Sequence, residues 1–408
     1  MNRNLLLFCL ALLATTGVRF LFFYQNREVY KDKQEINFHS IILSKPNFIS
    51  NRQRLTANLP NGERVYVTTD TNANFNFGDN LAISGTLIRQ LLTDKRSILT
   101  MNYPDIEVES NSLRFLSGLR EKISSIFKKT LPPTSASLLL GIVFGIKEQM
   151  DKNFLDQLRN VGVLHVIAAS GMNVVMVGGF LSSVFSFFLK RQLALVLTLF
   201  GIFFYAVLSG LEPSIIRASI MGGFVFISQI LGRQSTASYA LFLSAFVMLF
   251  LSPSLITDIG FQLSFTATAG LLYFRPLFER GKIKTVVKKS IIGEDVATTI
   301  SAQAATLPIL LANFGIYSLW SIAANALVLW TVPPLMVLGG LGAIFGLVLE
   351  PIGRIFIYLA LPFLLYFEKL VSFFGEREGI LEIANFPWQF AAAYWSILAA
   401  LILYLRKK

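Results

Sequence analysis

Two kinds of hydrophobic pattern divide this chain. At the amino terminus, and again beyond residue 110, apolar residues come in long runs; between residues 26 and 110 they alternate with polar ones. A run of roughly 20 residues with few charges predicts a membrane helix, because a bilayer core is about 30 Å thick and a helix rises about 1.5 Å per residue. Residues 5–24 form the first such run, preceded by Arg3 and interrupted by Arg19. Residues 5–14 also have the length of a signal-peptide core with small residues after it. The continuation Phe20-Leu21-Phe22-Phe23-Tyr24 favours an uncleaved anchor over residues 1–25.

Alternation at 36–43, 55–59, 64–68, 80–88 and 97–101, with turn-like clusters at Asn61-Gly62 and 72–79, predicts five short strands. Five strands over this length fit a small OB-like β-barrel outside the membrane, covering residues 26–110. His39 falls on its first strand and reads as structural. Residues 113–130 then place Leu113, Leu116, Leu119, Ile123, Ile126 and Phe127 at helical spacing, with five Lys/Arg among them. That pattern predicts an amphipathic surface helix within 111–132, able to lie on lipid headgroups and ended by Pro132-Pro133.

The remainder, 133–408, is polytopic. Residues 135–146 are apolar but short and 147–160 are charged, so 135–160 is expected to be re-entrant or surface-lying, tolerated in lipid only if buried in protein or lining a cavity. An uncharged segment of 27 residues covers 163–189. Spans are then expected at 192–210, 213–231, 237–252 and 254–275. The 54 residues from 296 to 349 carry no charge, and Pro308, Pro333-Pro334 and Gly339-Gly340 break them up. They must cross at least twice, with 317–349 read as one discontinuous span. The last segments are 351–373 and 389–405. The fold class expected is a mainly α polytopic membrane protein of about ten spans plus a re-entrant element, carrying a small extracellular β-barrel.

Composition agrees. The 408 residues are 54% hydrophobic and only 15% charged, against about 25% in ordinary soluble proteins. The formal charge of +12 fits either an anionic partner or the surplus of Lys and Arg on cytoplasmic loops. Basic residues mark alternate ends of the spans, which puts both termini inside and the β domain outside. The loop 275–289, with six Lys/Arg against Glu279, reads as a topology determinant or as a docking surface for a cytoplasmic partner. One cysteine and two histidines cannot assemble a Cys/His zinc site. No metal or cofactor is expected.

Polar residues inside apolar runs are the candidates for function, since lipid-facing polar groups are costly. The stretch from His165 to Asn173 holds His165, the step Ser170-Gly171 and Asn173. Ser170-Gly171 is expected to break the helix or admit a close neighbour. His165 and Ser170 lie about 140° apart on a helix, and no Gly-x-Ser-x-Gly elbow is present, so no catalytic residue is assigned. Arg217 lies one turn into a span, either snorkelling or facing an aqueous path used by an anion, with Glu212 near enough to pair. Asp258, Gln262 and Thr266 share a helix face; Asp258 could instead cap that helix. Gln303 and Thr306 form a second polar stripe, with helix–helix hydrogen bonding as the rival reading.

Residues 138–145 followed by 154–174 resemble the signature of the ComEC family of competence proteins, membrane channels for DNA uptake. Pro213-Ser214-Ile215-Ile216-Arg217-Ala218 and Asp258-Ile259-Gly260-Phe261-Gln262-Leu263-Ser264-Phe265 are similar too, as are 303–308, Phe314-Gly315, Ser318 and Asn325. The anchor and β domain resemble the family's extracellular part. The resemblance implies passage of single-stranded DNA into the cytoplasm, with His165, Ser170, Gly171, Asn173, Arg217, Asp258, Gln262, Thr266 and Gln303 lining the path. Asn173 stands where members commonly have a histidine. Many members continue into a metallo-β-lactamase-like domain, so this sequence reads as the channel without the nuclease. Drawing phosphates inward against an inside-negative potential costs about 2.3 kcal/mol per charge per 100 mV, and no Gly-x-x-x-x-Gly-Lys phosphate loop is present. The expected partners are therefore single-stranded DNA, the lipid bilayer, a DNA-receptor protein, a separate nuclease and a cytoplasmic ATP-driven motor. A transporter of a small anion or metabolite is the alternative.

Overall fold

The computed structural model describes residues 3–27, 29–43, 47–49, 52–70, 75–93, 96–146, 150–167, 170–232, 236–278, 293–377, 379–383 and 386–407. The chain packs as two units, Met1–Ile123 with Phe246–Ile256, and Ser124–Ala245 with Thr257–Lys408.

In the first unit, helix α1 (Arg3–Gln25) precedes eight strands: β1 (Glu35–Ile41), β2 (Asn47–Ile49), β3 (Arg52–Asn58), β4 (Arg64–Asp70), β5 (Asp79–Thr86), β6 (Ile88–Thr93), β7 (Arg96–Asn102) and β8 (Asp105–Asn111). They form a three-stranded sheet, β1-β5-β8, and a five-stranded sheet, β2-β3-β4-β7-β6, in which β4 and β7 run parallel. Phe38, Leu81 and Ile83 of the small sheet and Leu55, Val65, Val67, Leu99 and Met101 of the large one belong to one core. No closed barrel is found among the described residues; two sheets share a core where a five-stranded barrel is expected from sequence. The single strand expected over 80–88 is β5 and the start of β6, parted at Leu87, which is fully buried. Strand β8, five of whose seven positions are exposed, is not among the strands expected from sequence. Gly78 adopts φ 86°, open to glycine without strain, and so turns the chain into β5. Asp79 fixes that turn by accepting the N–H of Asn76 (2.6 Å) and the amide of Asn111 (2.7 Å). His39 lies exposed on β1, 3.2 Å from Glu109.

Helix α2 (Arg114–Thr130) is amphipathic as expected, but its apolar face turns inward. Leu116, Ile123, Ile126 and Phe127 are buried in protein, and Arg120 is buried with its guanidinium 4.1 Å from the Phe77 ring. Contact with protein, not headgroups, covers that face.

The second unit is built mainly of helices, beginning with α3 (Pro133–Phe144), α4 (Lys152–Val161), α5 (Leu164–Ile167), α6 (Gly171–Phe188), α7 (Arg191–Leu208), α8 (Pro213–Ile230), α9 (Ala237–Leu251, shared with the first unit) and α10 (Ile259–Tyr273), and it holds one short antiparallel strand pair, Ile316–Ser318 with Ile380–Glu382. Among the described residues, five stretches are long and apolar enough to cross a membrane: Leu164–Phe188, Arg191–Leu208, Pro213–Ile230, Gly293–Phe314 and Ser321–Val348. The pair Glu350–Leu359 and Leu361–Gly375, bent by 42°, makes a sixth if taken as one span. This is fewer than the ten or so expected, for a reason of length. The two apolar runs between 237 and 275 become 15-residue helices, α9 and α10, parted by a 3-10 turn at Pro253–Thr257. Each reaches only about 22 Å. Within the uncharged run, Leu329–Thr331 is also 3-10, so the 317–349 segment is interrupted there.

Of the basic loop expected over 275–289, Arg275–Phe278 forms a helical turn and residues 279–289 lie outside the described set.

Small residues let these helices approach, the device that packing in lipid relies on. A methyl at Gly270 of α10 would lie 2.5 Å from the Ser301 carbonyl oxygen and 2.8 Å from Ala305 Cβ. One at Gly178 of α6 would lie 3.0 Å from Ile202 of α7. Val174, Ile202, Tyr205, Ala206, Ile215 and Ala218 form the core shared by α6, α7 and α8.

Candidate functional site

Helix α3 is short, and every residue from Ser135 to Phe144 is buried. It meets the condition a short apolar helix must satisfy in lipid, that protein surrounds it. Its last carbonyls therefore need partners within the protein. Gly145, at φ 70°, turns back so that its N–H bonds the Gly141 carbonyl at 2.9 Å. Asn173 Nδ2 donates to the Ile142 carbonyl at 2.7 Å, and the Tyr205 hydroxyl donates to that of Val143 at 2.8 Å. Two polar side chains from α6 and α7 thus complete the end of α3.

Ser170 has φ −115° and ψ 173°, which is extended backbone, so the helical stretch is broken there and α6 starts afresh at Gly171. The Ser170 hydroxyl does not cap the new helix. It donates instead to Asn173 Oδ1 at 3.1 Å. Both ends of the Asn173 amide are thereby engaged inside the protein, and the residue is 1% exposed. His165, one turn before the break, is exposed, whereas Val163, Val166 and Ile167 around it are buried.

Arg217 of α8 faces the break. It is 7% exposed, and Gly171 lies so close that a Cβ there would sit 3.1 Å from Arg217 Nη2. Nη1 donates to the Thr268 hydroxyl of α10 and lies 3.8 Å from Met221 Sδ; the guanidinium stands 5.8 Å from the Phe265 ring. Nε has no partner. Among the described residues no carboxylate pairs with Arg217, so the pairing with Glu212 expected from sequence is not formed. A guanidinium this buried carries a heavy desolvation penalty that only an anion or a dense set of acceptors offsets.

The α10 candidates are less alike than their shared face suggests. Asp258 is the N-cap, accepting the Phe261 N–H at 2.8 Å. Thr266 bonds back to the carbonyl of Gln262 at 2.7 Å. Gln262 is half-buried on the same helix. Gln303 stands apart from the Arg217 group. It donates to Ser321 Oγ at 2.9 Å and accepts from the Tyr317 hydroxyl at 2.8 Å. That bracket holds Ser321, whose Cβ would be 2.7 Å from a methyl on Gly162, three residues before His165. Ser170, Gly171, Asn173 and Arg217 are therefore one cluster, and Gln303 supports the segment leading to it.

Sequence reading missed Thr268, Tyr205, Tyr317 and Glu368. Thr268 follows Phe265 by three positions, a spacing that could have joined it to the stripe. Glu368 accepts from the Ser135 hydroxyl at 2.6 Å. Its signal was a carboxylate within an apolar run. Tyr205 and Tyr317 gave none, because a tyrosine in a membrane helix or short strand looks like any aromatic.

Residues 142–408 match the family described as Competence protein. The ComE operon protein 3 of Bacillus subtilis (strain 168) is 29% identical over 222 residues, covering 54% of this chain. The matched stretch spans 28% of that relative's length. No solved structure matches the chain.

Proposed function

The chain belongs to the competence protein family, a multi-pass membrane protein whose likeness supports a role in DNA uptake, and from that premise we propose that it is an inner-membrane channel passing single-stranded DNA into the cytoplasm. The observation that carries this reading is Arg217, a permanent cation enclosed among helices, with no carboxylate paired to it among the described residues, beside a broken helix. A polyanion moving through the bundle supplies the missing counter-charge in passing. His165, Ser170, Gly171, Asn173, Arg217, Asp258, Gln262, Thr266 and Gln303 form or support the path. The chain acts by conducting, not by catalysing.

The β domain, residues 26–110, receives the strand outside as an OB-like module. Arg54 stacks 4.6 Å from the Tyr66 ring, and Arg52 lies 5.9 Å from that of Tyr103, in the turn after β7, so two cations of β3 each stand over an aromatic ring. Single-strand binders use that combination, with stacking worth about 1–3 kcal/mol per base. About ten spans, a cytoplasmic carboxy terminus, a DNA receptor, a separate nuclease and an ATP-driven motor complete the proposed system.

Import of labelled DNA in a strain lacking the gene tests the reading; undiminished import overturns it. In vesicles carrying the purified chain, a DNA-dependent ionic current is expected. Flux of small anions without DNA would favour the solute transporter instead.

A further inference from the structure

We propose that the first turn of α6 and the Arg217 guanidinium together form a seat for one phosphate group of the strand, a proposal that rests on the channel reading above. The N–H groups of Gly171 and Met172 have no acceptor among the described residues, as expected of the first turn of a helix. Ser170 would ordinarily cover one N–H of that turn, but its hydroxyl is turned to Asn173 Oδ1. The turn is left open, and it carries the positive end of an 18-residue helix.

The second observation is independent of the helix. Arg217, 7% exposed, has Nη1 tethered to Thr268, while Nε and Nη2 bond to nothing among the described residues. Nη2 is the atom that faces Gly171. The free edge of the fork, Nε with Nη2, has the spacing that two oxygens of a phosphate accept together. With no side chain at 171, the backbone N–H groups and this edge can meet one anion without Nη2 being displaced, since a Cβ there would come within 3.1 Å of it. The phosphodiester, a monoanion with two unbridged oxygens, fits that pair of donors; Asn173, held by Ile142 and Ser170, fixes the height of the turn beneath it.

The test uses the full chain in phosphatidylcholine nanodiscs and a fluorescent thymidine oligonucleotide, with affinity measured against salt. On a single strand, each phosphate contact contributes about 0.7 to the slope of log K against log salt. Arg217→Gln is expected to lower that slope by about 0.7, while Arg217→Lys keeps it and weakens binding. Gly171→Ala is a second route to the same loss. Its methyl occupies the seat, leaves every charge in place and suits a helix. Wild-type slopes in folded Arg217→Gln and Gly171→Ala proteins would overturn the seat and leave the channel reading intact. Wild-type protein that binds no oligonucleotide overturns both. If phosphatidylglycerol nanodiscs erase the difference between wild type and Arg217→Gln, the seat holds a lipid headgroup and the proposal falls.

Discussion

Asn173 Nδ2 and the main-chain carbonyl of Ile142, 31 positions apart, are joined by a buried 2.7 Å hydrogen bond. The bond locks the restart of a broken helix to the end of a buried one. Replacing Asn173 by Leu leaves that carbonyl unsatisfied, which costs about 1–3 kcal/mol. Asn173→Leu is expected to melt earlier than wild type in detergent, followed by size exclusion after heating. Asn173→His, which keeps a ring N–H, should recover most of the loss. Equal melting of Leu and His variants would mean that the bond contributes nothing.

Arg217→Met separates function from stability. A buried charge replaced by an apolar side chain of similar volume often leaves a protein equally stable, or more so by about 1–4 kcal/mol. The variant is expected to fold at least as well as wild type and to lose DNA import. A variant that unfolds would return Arg217 to a structural role through Thr268.

Gln303 is predicted to act with Tyr317 as a pair. Gln303→Leu strands the Tyr317 hydroxyl, and Tyr317→Phe strands the Gln303 carbonyl oxygen. The double variant should be less harmful than the sum of the two, by about 0.5–3 kcal/mol in a double-mutant cycle. Strict additivity would refute the coupling.

Gly270→Val is expected to abolish correct packing. Its side chain would have to occupy the place of the Ser301 carbonyl and the Ala305 methyl. Gly179→Val provides the control, because nothing lies within 4 Å of a Cβ at that position. The yield of monodisperse protein should fall for the first and hold for the second.

On the β domain, Tyr66→Ala should weaken oligonucleotide binding by the full chain by about 1–3 kcal/mol. Arg54→Ala, which removes the cation stacked on that ring, should also reduce the salt dependence. Unchanged binding in both would move the receiving surface elsewhere.

Much of this architecture is readable in the order of residues because lipid imposes long apolar runs. The break at Ser170-Gly171 is legible for the same reason, since a serine and a glycine in such a run have few other uses. Helix length is not. Nothing in the composition of 237–275 tells that Pro253–Thr257 becomes a 3-10 turn and leaves two helices of 15 residues. Nor does one sequence reveal which polar side chain is engaged. Asn173, Asp258 and Thr266 look alike as interruptions of apolar runs, yet one completes a neighbouring helix, one caps its own and one bonds back to it. Arg217 has Nη1 on Thr268 and a buried Nε with no partner among the described residues, a difference that the order of residues does not show.

The brevity of α9 and α10 bears on the lipid itself. Helices of about 22 Å cannot match hydrocarbon about 30 Å thick. A short apolar helix is accommodated by a thinner bilayer, by snorkelling flanks or by association with other helices. For α10 it is association: Gly270 is pressed against Ser301 and Ala305 of a neighbouring helix, so protein and not only lipid surrounds the short helix.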